Sequence, residues 1–153
     1  MSSIFSADEL HSVVGGKLFK KNWKVHGISI DSREIKNNDL FIALKSKRDG
    51  NDFIISAIEK GAKAAIINKV PIGLPTNFPY ILVKDSMQAL HAIAKYSRKR
   101  YKGNLIAITG SVGKTSTKDI LTKMLSVFGL THSSPKSFNN HLGVPLTLAN
   151  IPQ

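Results

Sequence analysis

Apolar and polar positions recur along this chain with two different periods, and the changes between them mark out its elements. Ser6-Ala7-Asp8-Glu9 has the capping-box pattern, so a helix is predicted over 7–14 and a stop at Gly15-Gly16. Strands are predicted at 17–19 and at 27–30, where apolar and polar residues alternate, while 40–44 reads as a buried apolar run. Asp49-Gly50 signals a turn ahead of a helix over 53–60, which Gly61 ends. Two more strands, at 64–67 and 80–83, flank a loop carrying three prolines. Asp85 and Gln88 then cap a helix reaching Tyr101, with Met87, Leu90, Ile93 and Ala94 on its buried face.

The pattern changes after Gly103. Residues 105–108 read as a strand that runs into Gly110-Ser111-Val112-Gly113-Lys114-Thr115-Ser116, and a helical pattern follows to Phe128. Ile120, Leu121, Met124, Leu125 and Phe128 fall on one stripe of that helix and are expected in a core. Gly129 stops it, and 130–132 is a candidate for a second strand. The fold class expected is α/β: a small N-terminal α/β domain over 1–84, a connecting helix over 85–103, and over 104–153 the start of a P-loop nucleotide-binding domain with a parallel sheet. Such a domain needs further strands and an acidic metal ligand, so this chain is expected to be a fragment that does not complete catalysis alone.

The strand, glycine loop and helix start point to a nucleotide-phosphate site. A triphosphate needs many donors on a concave surface, and small residues such as Gly110, Ser111 and Gly113 let successive backbone amides approach it. The helix beginning near Lys114 aims its unsatisfied amides at the same point. Lys114 can reach the outer phosphates, and the Thr115 hydroxyl is placed for the Mg²⁺ that accompanies them. The usual pattern G-x-x-x-x-G-K-[ST] has glycine where Ile108 stands, so the match is to the shorter form G-x-x-G-K-T. A glycine-rich strand-to-helix turn with no ligand is the structural alternative.

Composition narrows the classes. The chain of 153 residues, 42% hydrophobic, can build a packed core, and with no cysteine it has neither disulfides nor thiolate metal sites. No signal-peptide pattern or membrane-spanning apolar run is present, so a cytoplasmic protein without membrane insertion, and a monomer, is expected. The net charge of +12 favours anionic partners, and the basic residues gather in 17–24, 45–48 and 95–102. These clusters also fit solvated basic faces. A basic nucleic-acid-binding module or a generic P-loop NTPase are the alternatives, the second leaving the first hundred residues without a purpose.

Two polar segments are less explicit. Asp31-Ser32-Arg33 closes a predicted strand, which is where open α/β sheets place ligands, though the local sequence alone favours turn hydrogen bonds and a surface cation. Asn139-Asn140 beside Gly143 and Pro145 is locally only turn chemistry, and His141 has no second metal-ligand residue at useful spacing.

Taken together, these segments resemble the N-terminal third of the Mur ligases. The resemblance covers essentially the whole chain and rests on 30–33, 38–45, 49–53, the loop at 108–115, and Phe138-Asn139-Asn140 through Thr147. The Phe-Asn-Asn segment favours the member type that adds D-alanyl-D-alanine to UDP-N-acetylmuramoyl-tripeptide over the one adding the third peptide residue. The resemblance implies that a peptide carboxylate attacks the γ-phosphate of ATP and that the amine of D-alanyl-D-alanine displaces the acyl phosphate formed. It implies that Asp31, Ser32, Arg33, Lys45 and Asn51 face the UDP-sugar, and that Gly110, Ser111, Val112, Gly113, Lys114, Thr115 and Ser116 hold ATP and Mg²⁺. Lys114 would neutralise charge during transfer, Thr115 would ligate the metal, and Asn139 and Asn140 would line the cleft between nucleotide and substrate. Ser46 and Asn51 stand where family members usually carry Gly and His.

Overall fold

A computed structural model describes residues 3–45, 48–135 and 141–152. A five-stranded sheet organises the first hundred. In chain order the strands are β1 (Phe5–Ser6), β2 (Lys17–Phe19), β3 (Lys24–Val25), β4 (Gly27–Ser29), β5 (Asp39–Ile42), β6 (Ala64–Ile67) and β7 (Tyr80–Leu82). The helices are α1 (Ala7–Val14), α2 (Ile54–Glu59), α3 (Ser86–Arg100), α4 (Lys114–Leu125) and α5 (Gly143–Ala149). The sheet order is β2-β7-β6-β5-β4, parallel from β7 to β4, with β2 antiparallel on its edge. The expected α/β class is therefore observed, and the parallel sheet lies in the first hundred residues.

Alternation along the strands sorts the core into two layers. Leu40, Ile42, Ala64, Ile66 and Ile81 face one way and pack with Leu10 of α1, Leu90 and Ile93 of α3, and Leu146 and Ala149 of α5. Phe41, Ala43, Ala65 and Ile67 face the other way, onto Ile54 and Ala57 of α2. Leu90, Ile93, Ile42 and Ile66 are fully buried, each worth about 1.5–3 kcal/mol of transfer free energy.

Two polar devices hold the helices of the first layer. The capping box forms as expected, Ser6 Oγ accepting from Glu9 N and Ser6 N donating to Glu9 Oε2. Glu9 Oε1 then accepts from Arg100 Nη1 at 2.7 Å and from the Tyr96 hydroxyl at 3.2 Å, tying the start of α1 to the end of α3. Arg100 also donates to Ile4 O at 2.8 Å and lies 4.2 Å from the Phe5 ring centroid. At the sheet edge, Asn150 supplies what a sixth strand would. Its Oδ1 accepts from Ile28 N at 2.8 Å and its Nδ2 donates to Ile28 O at 2.9 Å.

Residues 104–135 depart from expectation. Residues 105–108 and 130–132 form no strand, and Leu105 and Ile106 are 50% and 56% exposed. The stripe expected in a core lies largely open: Ile120, Met124, Leu125 and Phe128 are exposed, and Leu121 is half-buried. Helical spacing identifies a face able to be buried, but burial needs an apposed surface, and no strand among the described residues pairs with 105–108. The short α5 behaves oppositely. It lies beyond that open segment in sequence, yet Leu146, Ala149 and Ile151 are buried, the first two in the core of the first sheet.

Candidate substrate and nucleotide site

The C-terminal ends of β4, β5 and β6 come out at one edge of the parallel sheet, because parallel neighbours must end on the same side. From β4 the chain enters a 3-10 turn, Ser32–Glu34, capped by Asp31, whose Oδ1 accepts from Arg33 N at 2.9 Å. The same carboxylate grips the Arg33 side chain, with Nε at 3.0 Å from Oδ1 and Nη2 at 2.7 Å from Oδ2. Asp31 holds the Arg33 guanidinium above its ordinary pKa, first through that hydrogen bond and then through charge. Arg33 is thus a permanent cation, 82% exposed, while Ser32 is buried. Asp31 positions Arg33; the exposed guanidinium is the part able to meet an anion.

From β5 the chain reaches exposed Lys45, which forms an isolated antiparallel bridge with Asp49. Gly50 N then donates to Leu44 O at 2.9 Å. A Cβ on Gly50 would stand 2.6 Å from both Leu44 N and Leu44 O, so this close backbone approach requires glycine. Asn51, 1% exposed, points no polar group to solvent: Nδ2 donates to Asp49 Oδ1 at 2.6 Å and to Asn68 Oδ1 at 2.7 Å. Lys69 pairs with Asp49 Oδ2 at 2.7 Å. The Lys69 hydrogen bond, followed by those from the Asn51 side chain and backbone, lowers the Asp49 carboxyl to about 2. Arg33, Lys45 and Lys69 thereby bring cations to the strand-end loops, each with a defined local partner or bridge.

The phosphate loop sits at the start of α4. Gly110 and Gly113 have φ of 149° and 79°, conformations other residues rarely adopt, and Gly113 in the left-handed region is the helix N-cap. Gly113 has no side chain with which to cap the first turn of α4, and the amide end of a helix favours an anion. Lys114 Nζ donates to Gly110 O, folding the ammonium back across the loop. Ser111, Val112, Thr115 and Ser116 are exposed around it. This donor set suits a polyphosphate, and a single Thr115 hydroxyl suits Mg²⁺, which keeps most of its ligands as water and phosphate oxygens. Among the described residues no group of three or more His, Cys, Asp or Glu side chains is arranged to hold a metal. Asn139, Asn140 and Ser46 lie outside the described residues.

Two family models match the chain: "Mur ligase family, catalytic domain" over residues 24–98 and "Mur ligase middle domain" over 108–153. The chain belongs to the Mur ligase family. It is 44% identical over 124 residues to the UDP-N-acetylmuramoyl-tripeptide–D-alanyl-D-alanine ligase of Rickettsia prowazekii, covering 81% of this chain and 27% of that relative. A crystal structure of MurF from Acinetobacter baumannii superposes with a TM-score of 0.80 at 31% identity, covering 97% of this chain and 33% of that one. MurF of Thermotoga maritima, solved with ADP, gives 0.60 at 32% identity over 84% of this chain and 30% of that one. The chain spans about a third of the length of the relatives it matches.

Sequence reasoning named Asp31, Ser32, Arg33, Lys45 and Asn51 but passed over Asn68 and Lys69. The signal was available: both follow directly on a predicted strand, at the end where parallel sheets take ligands. It passed over Asn150 as well, since a bond spanning 122 residues leaves no local pattern.

Proposed function

We propose that this chain carries the UDP-sugar-binding and ATP-phosphate-binding parts of a ligase that joins D-alanyl-D-alanine to UDP-N-acetylmuramoyl-tripeptide in peptidoglycan precursor synthesis. The observation that carries the reading is the glycine-cornered loop opening α4, with Lys114 folded across it, in a chain related along most of its length to ligases of that name. Residues 1–84 form the UDP-sugar domain, 85–103 the connecting helix, and 104–153 the phosphate-binding segment. Arg33 and Lys45 meet the diphosphate, with Asp31 orienting Arg33, Ser32 shaping the turn and Asn51 supporting the loop. Asn139 and Asn140 line the approach between nucleotide and tripeptide.

ATP lies with its phosphates on the amides of Gly110, Ser111, Val112 and Gly113 and on the first turn of α4 through Thr115 and Ser116. Bound Mg²⁺, held on the protein side by Thr115, supplies charge neutralisation to the phosphates. Lys114 exchanges its contact with Gly110 O for phosphate oxygens and steadies the charge that develops as the tripeptide carboxylate attacks. The chemistry is positioning of anions, which the +12 balance assists. The protein works in the cytoplasm, where ATP and nucleotide-activated sugars are found; no helix among the described residues is long and apolar enough to cross a membrane.

The test is a thermal-shift titration of the chain with UDP-N-acetylmuramoyl-tripeptide and, separately, with MgATP. Each ligand at a hundredfold excess over its Kd stabilises the protein by about 2.7 kcal/mol. Lys114→Ala abolishes only the MgATP shift, and Arg33→Ala only that with the UDP-sugar. Absence of both shifts in the unaltered chain rejects the reading.

A further inference from the structure

We infer that Asn68 and Lys69 are positioning residues of the UDP-sugar site: from the end of β6 they lock Asn51 and Asp49, and through them the loop leaving β5, in the arrangement that receives the nucleotide-sugar. This rests on the reading of that loop as substrate-facing.

The four side chains form one hydrogen-bonded unit. Asn51 spends both amide hydrogens on it, one to Asp49 Oδ1 and one to Asn68 Oδ1. Asp49 Oδ1 also accepts from Asn51 N at 3.0 Å, and Oδ2 takes the Lys69 ammonium, so each oxygen is engaged. Asn51 therefore pins the loop to β6, a strand whose four residues are all fully buried. The pin has a cost. Asn51 Oδ1 is buried with no hydrogen-bond partner among the described residues, a desolvation penalty that an apolar side chain of similar shape would avoid. Packing alone gives no reason for a polar amide there; fixing the loop does.

Lys69 adds an electrostatic part. Half-exposed, it neutralises the Asp49 carboxylate in a loop that also carries Lys45 and Arg48. Without it an unpaired carboxylate stands beside the cations that are to meet a diphosphate, and like charge opposes binding. Arginine at 69 keeps the pair, whereas methionine keeps only the apolar stem.

Calorimetric titration of the 153-residue chain with UDP-N-acetylmuramoyl-tripeptide tests this in the wild type, Asn68→Ala, Lys69→Met and Lys69→Arg. Exchange of the Gly50 amide is followed in the free proteins. Asn68→Ala and Lys69→Met should weaken binding about tenfold or more, and Lys69→Arg less than about twofold. MgATP affinity should stay unchanged, and the Gly50 amide should exchange faster in Asn68→Ala. Wild-type affinity in Asn68→Ala, equal losses in Lys69→Met and Lys69→Arg, or an unchanged Gly50 exchange rate each overturn the positioning role. Should Asn68→Ala fail to fold, the surface pair of Lys69 variants decides alone. A wild type that does not bind the UDP-sugar overturns the underlying reading and this inference with it, an outcome distinct from binding that the variants leave intact.

Discussion

Gly50 is pressed against the end of β5 so closely that a methyl group there meets backbone, which cannot step aside as a flexible side chain could. Gly50→Ala should cost about 1–3 kcal/mol, read by urea denaturation, and should weaken UDP-sugar binding more than MgATP binding; an unchanged midpoint contradicts the geometry. One residue earlier, Asp49 makes a pH-dependent contribution. Its folded pKa of about 2 lies below the ordinary 3.8, so the stability it confers is fully present above the ordinary value and is lost as pH falls towards 2. The stability gap between the wild type and Asp49→Asn should narrow across that window and close at its acid end. A gap that stays constant removes Lys69 and Asn51 as the cause. Asp39 runs the other way: burial, partly offset by the Lys36 amide, raises its pKa. Its ionised form at neutral pH therefore opposes folding rather than aiding it.

At the scale of elements, α5 and β4 depend on one side chain. Removing the Asn150 amide leaves Ile28 N and Ile28 O at the sheet edge without that partner, and Leu146 O loses a donor as well. Asn150→Ala should cost about 1–3 kcal/mol, seen as a lower denaturation midpoint. Because Ile28 lies three residues before Asp31, it should also loosen the Arg33 turn, detectable as a changed chemical shift of the Arg33 Nε proton. The α1–α3 junction is a second such joint. Arg100 is 18% exposed and Glu9 28%, so their pair is shielded enough to matter. Arg100→Met should destabilise the chain by about 1–3 kcal/mol, and an effect near zero would show that Phe5 and Tyr96 packing holds the junction unaided.

Over the whole molecule, burial divides the chain unevenly. The sheet with α1, α2, α3 and α5 holds nearly all the buried apolar surface, while no residue of α4 is buried. Amides of β5 and β6 should thus exchange with solvent far more slowly than those of α4, which opens without exposing a core. Equal protection by hydrogen-exchange mass spectrometry would show that the apolar face of α4 is covered in solution. Among the described residues, Lys118 Nζ of α4 donates to Ser134 O at 3.0 Å, and in the segment after the helix His132 Nε2 lies 3.2 Å from Thr147 O of α5.

The local instructions in this chain were legible because each is written within a few residues. The capping box at Ser6 and Glu9, the alternation through Leu40, Phe41 and Ile42, the glycine stop at Gly61 and the cap at Asp85 all operate by short-range hydrogen bonding and side-chain period. The phosphate loop belongs with them, since positive φ at Gly110 and Gly113 is a property of glycine itself. Other outcomes depended on surfaces meeting in space. Period alone could not tell that the stripe of α4 stays exposed while the shorter α5 is buried, because a helix face is buried only where another surface covers it. Nor could it join Asn51 to Asn68 or Asn150 to Ile28: a polar side chain satisfied across 17 or 122 residues is chosen by tertiary proximity, which the sequence encodes only through the complete fold.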